Sequence, residues 1–153
     1  MLMERNAEII RGWPYDGALD RAEVITASAT LVNGDWVAKQ ADNTVNKSGA
    51  TASNAVGLVF VGNGDSASAT NSNKAVVLWK NFVAKIANYD TVPTYAPGNH
   101  VTVKNGKITL AVEATGTGST YTPADPFVGI VLDVVAAATG ANPETAHLTI
   151  AVA

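Results

Sequence analysis

Four Asn-Gly or Asp-Gly dipeptides, at Asp16-Gly17, Asn33-Gly34, Asn63-Gly64 and Asn105-Gly106, cut this chain into short segments. Glycine accepts a positive φ without steric cost, and Asn or Asp before it favours tight turns. The segments between the turns are rich in side chains branched at Cβ. The 153 residues hold 19 valines against 8 leucines, and Val, Ile and Thr together number 42. Such side chains lose rotamer freedom in a helix and suit a pleated surface. No long stretch shows a clean helical period of apolar residues, so the chain reads as all-β.

The alternation places strands at Ala22–Ala27, Asp35–Lys39, Ala55–Val61, Lys74–Trp79, Phe82–Ala87, His100–Val103, Lys107–Val112, Phe127–Val135 and His147–Val152. The clearest hairpin is His100–Leu110, where Asn105-Gly106 separates two alternating runs. Two segments, Asn63–Asn73 and Ala114–Thr122, are built from Gly, Ser, Thr, Asn and Ala apart from Asp65 and Tyr121, and read as long loops. Residues 1–21 read as an extended N-terminal arm with little regular structure, ahead of a single β domain over 22–153. Pro14 favours extended geometry in that arm. The expected architecture is a small β-barrel or a compact β-sandwich.

The two halves of the domain echo one another. Asn33-Gly34-Asp35-Trp36-Val37 opens the first, and Pro97-Gly98-Asn99-His100-Val101 opens the second. Each is followed by a polar turn and later by a similar strand, Val56-Gly57-Leu58-Val59 or Val128-Gly129-Ile130-Val131. The physical reading is one β unit used twice around a core. A glycine inside a strand marks a bulge, a bend or the close approach of another segment.

The absence of cysteine excludes disulfides, thiolate metal sites and thiol nucleophiles. Two histidines, His100 and His147, cannot make a three-imidazole metal site within one chain. Both fall in expected strands without a catalytic motif. Gly62-Asn63-Gly64-Asp65 and Gly116-Thr117-Gly118 lack the following helix that a phosphate loop needs. The Asn63–Asp65 turn has one carboxylate, too few for a calcium loop. No cofactor is expected. The net charge of −3 argues against a broadly basic nucleic-acid surface. The apolar runs are too short to span a bilayer, and the first residues lack a signal-peptide pattern, so neither nucleic acid nor membrane is an expected partner. Charged residues are only 15% of the chain, which suggests a surface partly covered by something else, or one built from Ser, Thr, Asn and Gly. The arm carries Arg5, Arg11, Trp13, Tyr15 and Arg21, residue types that anchor protein interfaces, and these are the candidate contact residues.

Over residues ~30–153 the chain resembles the small decoration (cement) proteins of tailed-bacteriophage capsids. The resemblance is carried by Asn33–Lys39, Val56–Asp65, the Pro97–Val103 hairpin start and Phe127–Val131. It implies a non-enzymatic virion structural protein, made in the host bacterial cytoplasm and bound to the outer capsid surface. The implied partner is the major capsid protein, whose subunit contacts it would stabilise. A homo-oligomer, with a trimer favoured, and an arm reaching onto a neighbour are implied in the same way. The alternative reading is a glycan- or host-binding β module of a phage tail, fibre or baseplate, with Trp36 and Tyr121 as candidate stacking aromatics. A hydrolase with an unrecognised site is the third.

Overall fold

A computed structural model describes residues 6–11, 22–65, 73–137 and 145–153. Among the described residues eleven strands form two antiparallel sheets. They are β1 (Ala7–Arg11), β2 (Ala22–Thr26), β3 (Trp36–Lys39), β4 (Val45–Lys47), β5 (Gly57–Val61) and β6 (Lys74–Leu78), then β7 (Phe82–Ile86), β8 (His100–Lys104), β9 (Lys107–Leu110), β10 (Gly129–Val135) and β11 (His147–Val152). Sheet A has the order β1-β7-β11-β10-β8-β9, and sheet B the order β2-β6-β5-β3-β4. The all-β expectation holds and a sandwich of two sheets fits it. The barrel alternative does not: neither sheet closes into a continuous ladder.

The echo in the sequence is a duplication of topology. Adding five to each strand number of sheet B gives β7-β11-β10-β8-β9, which is sheet A without its edge strand β1. The registers agree as well. Trp36 pairs with Leu58 as His100 pairs with Ile130, and Val37 pairs with Gly57 as Val101 pairs with Gly129. The β5–β6 ladder slips between Val59 and Val61, and the β10–β11 ladder slips between Val131 and Asp133. These matched bulges place Phe60 and Leu132 at the same position of the unit.

Hydrogen bonds repeat in the same way. The Gly34 N–H donates to Val59 O at 3.0 Å, and the Gly98 N–H donates to Val131 O at 2.8 Å. Both glycines sit in the left-handed region, at φ 95° and 91°. Asp35 Oδ2 accepts from Val32 N–H at 2.9 Å, and Asn99 Oδ1 accepts from Ala96 N–H at 2.8 Å. Each unit also curls until its ends touch. A parallel bridge joins Ala27 to Val45 in one and Tyr89 to Ile108 in the other.

The duplication explains the long apolar runs. Sheet B is buried on both faces, so β5 reads as continuous hydrophobe rather than as alternation. Leu58, Trp36 and Leu78 enter the larger core, together with the inner residues of sheet A such as Ala84, Ile86, Val101, Val131, Leu148 and Ile150. Val59, Val37, Val77, Val45, Ile25 and Leu31 form a second, smaller core on the other face. The glycine inside each matched strand reports close approach, as its sequence context suggested. A Cβ on Gly57 would meet Val77 and the Trp79 ring, and one on Gly129 would meet the Ala151 carbonyl.

One expectation fails at the N-terminus. Residues 7–11 are a strand of sheet A rather than irregular arm, pairing with β7 through Ala7–Ile86 and Ile9–Ala84. Ala7 and Ile9 are buried in the larger core. Two further bonds hold the strand: Asn33 Oδ1 accepts from Ala7 N–H at 2.9 Å, and Asn6 O accepts from Ala87 N–H at 2.7 Å. Asn33 also donates through Nδ2 to Phe60 O at 2.8 Å, so one side chain ties β1 to sheet B. The loop expected at 114–122 folds back on itself, with a Thr115–Thr122 bridge around one turn of 3-10 helix at Gly118–Thr120.

Tyr95 lies in the larger core edge-on to Tyr89 and donates its hydroxyl to Asp90 O at 2.7 Å. Burial pushes its phenol up to about 12, above the ordinary value of 10.0. The neutral form is therefore favoured in the fold. Its stabilisation is complete below pH 10 and is lost as pH rises through 10 towards 12. Tyr95→Phe should flatten the part of the alkaline fall in melting temperature that this phenol causes, measured from pH 9 to 12 against wild type.

Candidate assembly face

Directly paired residues of antiparallel strands share one face. Four such residues cross, in register, the face of sheet B that packs against sheet A: Ala22, Leu78, Leu58 and Trp36. Their counterparts across sheet A are Val83, Ala151, Ile130 and His100. The two rows are topologically equivalent, but their environments differ. In sheet B, Leu78, Leu58 and Trp36 are at most 1% exposed, because sheet A covers them. In sheet A the same position of the unit faces solvent, with Ile130 39% exposed.

More apolar surface adjoins the sheet A row. Leu132, beside Ile130 on β10, is 43% exposed. The bulge at Leu132 shifts the alternation, so that Asp133 joins Thr149 on the outer face and Val134 joins Leu148 on the inner one. Phe127 is half-exposed and stacks on His100, with ring centroids 4.4 Å apart. The next row is polar, with Glu8, Lys85, Thr149 and Asp133 in register. The face is thus an apolar band bordered by charge, the composition of a protein–protein contact surface.

Beside the band lies a groove of about 400 Å3, lined by His100, Val112, Glu113, Asp125, Phe127 and Asn54 among others. Its polar groups are largely engaged. Asp125 Oδ2 accepts from Val112 N–H at 3.0 Å and meets the Lys104 ammonium at 3.3 Å. His100 Nδ1 is 3.5 Å from Glu113 Oε1. A second, shallower groove of about 430 Å3 holds Trp79, Glu23, Lys39 and Asn54. There Glu23 accepts from Trp79 Nε1–H at 3.0 Å and from Lys39 Nζ at 3.1 Å. Among the described residues no group of three or more His, Asp or Glu could hold a metal ion.

The sequence candidates fall elsewhere. Arg5, Trp13, Tyr15 and Arg21 lie outside the described residues. Arg11 ends β1, its backbone opposite Val83 at the edge of the apolar row. Trp36 is not a stacking platform: it is fully buried and packs on Phe82 at 6.4 Å between ring centroids. Tyr121 is 57% exposed. His147 is buried, with Nδ1 2.7 Å from Thr145 O. Asp65 spends its carboxylate on the backbone, accepting from Gly62 N–H at 2.6 Å and Asn33 N–H at 2.8 Å. Val83, Ala151 and Ile130 were not singled out by sequence. The echo held the signal: aligning Gly57 with Gly129 pairs Leu58 with Ile130.

Comparison with protein-family models, with curated proteins and with solved structures found no match. Among the described residues no helix is long and apolar enough to cross a membrane.

Proposed function

We propose that this chain is a non-enzymatic virion structural protein. It binds the outer surface of a phage capsid, as a homo-oligomer with a trimer favoured, and stabilises contacts between major capsid subunits. The observation that carries the reading is the apolar band on the outer face of sheet A, solvent-exposed in the isolated chain although its counterpart in sheet B is buried. A band of this kind is costly to leave wet and marks a surface meant to be covered. The polar groups support the same reading. Asn33, Asp35, Asp65, Asn99 and Asp125 accept backbone N–H groups and so serve to fix loops. The result is a stiff two-unit body with an adhesive face, suited to clamping neighbours through many copies of a moderate interface. The sequence resemblance to capsid decoration proteins points the same way.

The test is direct. Purified protein mixed with expanded shells that lack it should sediment with them and appear at regular positions on their outer surface. Failure to co-sediment in native salt would reject capsid binding and favour the tail-module reading.

A further inference from the structure

We infer that Asn105 is a site of spontaneous deamidation, and that the Ser48 hydroxyl holds the reaction back for as long as the two units of the chain stay docked. The chemistry needs only the chain and water. The backbone nitrogen of the residue after an asparagine attacks the side-chain carbon Cγ, the amide nitrogen leaves as ammonia, and a succinimide ring closes. Water then opens the ring on one side or the other and leaves aspartate or isoaspartate. One water enters, one ammonia departs, and nothing is oxidised or reduced. A following glycine favours the attack, because it has no side chain to hinder its nitrogen and its backbone turns freely. Three such pairs stand in the sequence: Asn33-Gly34, Asn63-Gly64 and Asn105-Gly106.

The fold restrains the three pairs differently. Asn33 is buried, with Oδ1 and Nδ2 both bonded to backbone, and the Gly34 N–H donates to Val59 O at 3.0 Å. Asn63 Oδ1 accepts from Leu31 N–H at 2.8 Å, its Nδ2 donates to Ala29 O at 3.1 Å, and the Gly64 N–H donates to Leu31 O at 2.8 Å. In both pairs the attacked amide and the attacking nitrogen are tied down. Asn105 is exposed, and its side chain has no hydrogen-bond partner among the described residues. There only the nitrogen is held: Gly106 is buried and its N–H donates to Ser48 Oγ at 2.9 Å. Ser48 follows β4 of sheet B, and Asn105-Gly106 is the β8–β9 turn of sheet A, so this bond spans the two units. The same junction holds Trp36 N–H on Gly106 O at 3.0 Å and Asn105 N–H on Gly49 O at 2.7 Å. The Lys47 stem lies where a Cβ on Gly106 would sit. Attack needs the nitrogen brought onto Cγ in one narrow geometry, and local parting of the units at this turn is what releases it. Deamidation of Asn105 therefore records that opening. Isoaspartate carries the main chain through the side chain, one carbon longer, so the altered turn no longer meets Trp36, Ser48 and Gly49 together. Aspartate keeps the main chain and only adds a negative charge between Lys104 and Lys107.

The experiment is a timed incubation of the folded, full-length protein in mildly alkaline buffer, with peptide mapping by mass spectrometry at each Asn-Gly pair. A parallel sample in strong denaturant gives the intrinsic rates, which should be alike because glycine follows each asparagine. In the folded protein Asn105 should convert first of the three, roughly 10-fold or more slowly than in denaturant, since several hydrogen bonds must open together. Ser48→Ala should speed Asn105 about 5-fold, the worth of one hydrogen bond, and leave Asn33 and Asn63 at their wild-type rates. In the wild type, denaturant too dilute to unfold the protein should speed Asn105 in step with hydrogen exchange at the Gly106 amide. Aged protein carrying isoaspartate at 105 should melt below fresh protein, and Asn105→Asp should melt close to wild type. Conversion of Asn33 or Asn63 ahead of Asn105 overturns the inference. So does an Asn105 rate that ignores both Ser48→Ala and exchange at Gly106, or a Ser48→Ala protein in which all three pairs speed up alike.

Discussion

Leu58→Asp is expected to unfold the protein, whereas Ile130→Asp, at the equivalent position of the other unit, is expected to leave it folded. Leu58 is fully buried between the sheets beside Trp36 and Leu78. Losing its side chain alone costs about 2–5 kcal/mol. A carboxylate placed there is cut off from water and must take up a proton or remain charged at a further cost. The total approaches the whole stability of an ordinary domain, roughly 5–15 kcal/mol. Circular dichroism and thermal melts of the two variants check the contrast. A stable Leu58→Asp protein would mean that the two sheets do not bury this row between them.

Deleting residues 1–11 should strip β1 from sheet A and destabilise the whole domain rather than trim an appendage. Ile9 is 3% exposed and Ala7 is 1% exposed, both within the larger core. Ile9→Ala alone should cost about 3 kcal/mol. In a chain of this size that lowers the melting point by roughly 6–12 °C. The deletion should cost more. It exposes the edge of β7 and removes the N–H that Asn33 Oδ1 accepts inside the protein. Loss of capsid binding in such a truncation would therefore not assign contact to the removed side chains. Substitutions of Arg5, Trp13 or Tyr15 with residues 6–11 left intact separate the two effects. Melting temperatures within a few degrees of wild type for the 1–11 deletion would contradict this account of β1.

The strands that sequence exposed are those bounded by turn dipeptides and carrying apolar side chains on a covered face. Its nine expected strands all correspond to strands of the fold. The two it missed, β1 and β4, are the outermost strands of their sheets. Edge strands alternate buried apolar and exposed polar residues over a very short length: Val45-Asn46-Lys47 offers one inward side chain, and Ala7–Arg11 offers two. Local pattern cannot raise such segments above the background of loops. Trp36 was misjudged for a different reason. It follows a polar Asn33-Gly34-Asp35 turn, which reads as a surface context, and only the packing of one unit on the other buries it. The assembly face was hidden by the same logic. Ile130 in an apolar run looks like core, and its exposure emerges only when one copy of the unit is found with its row covered and the other without.

The measurement closest to the centre of this account is the resistance of shells to disruption. Expanded, DNA-filled capsids lacking this protein would be heated, or stressed by dilution of counter-ions, with and without saturating wild-type protein, and with Ile130→Asp in parallel. Wild-type protein should raise the temperature at which shells release DNA, and Ile130→Asp should lose most of that gain while remaining folded. Shells that rupture at the same point whether or not the protein is bound would contradict the proposed clamping role.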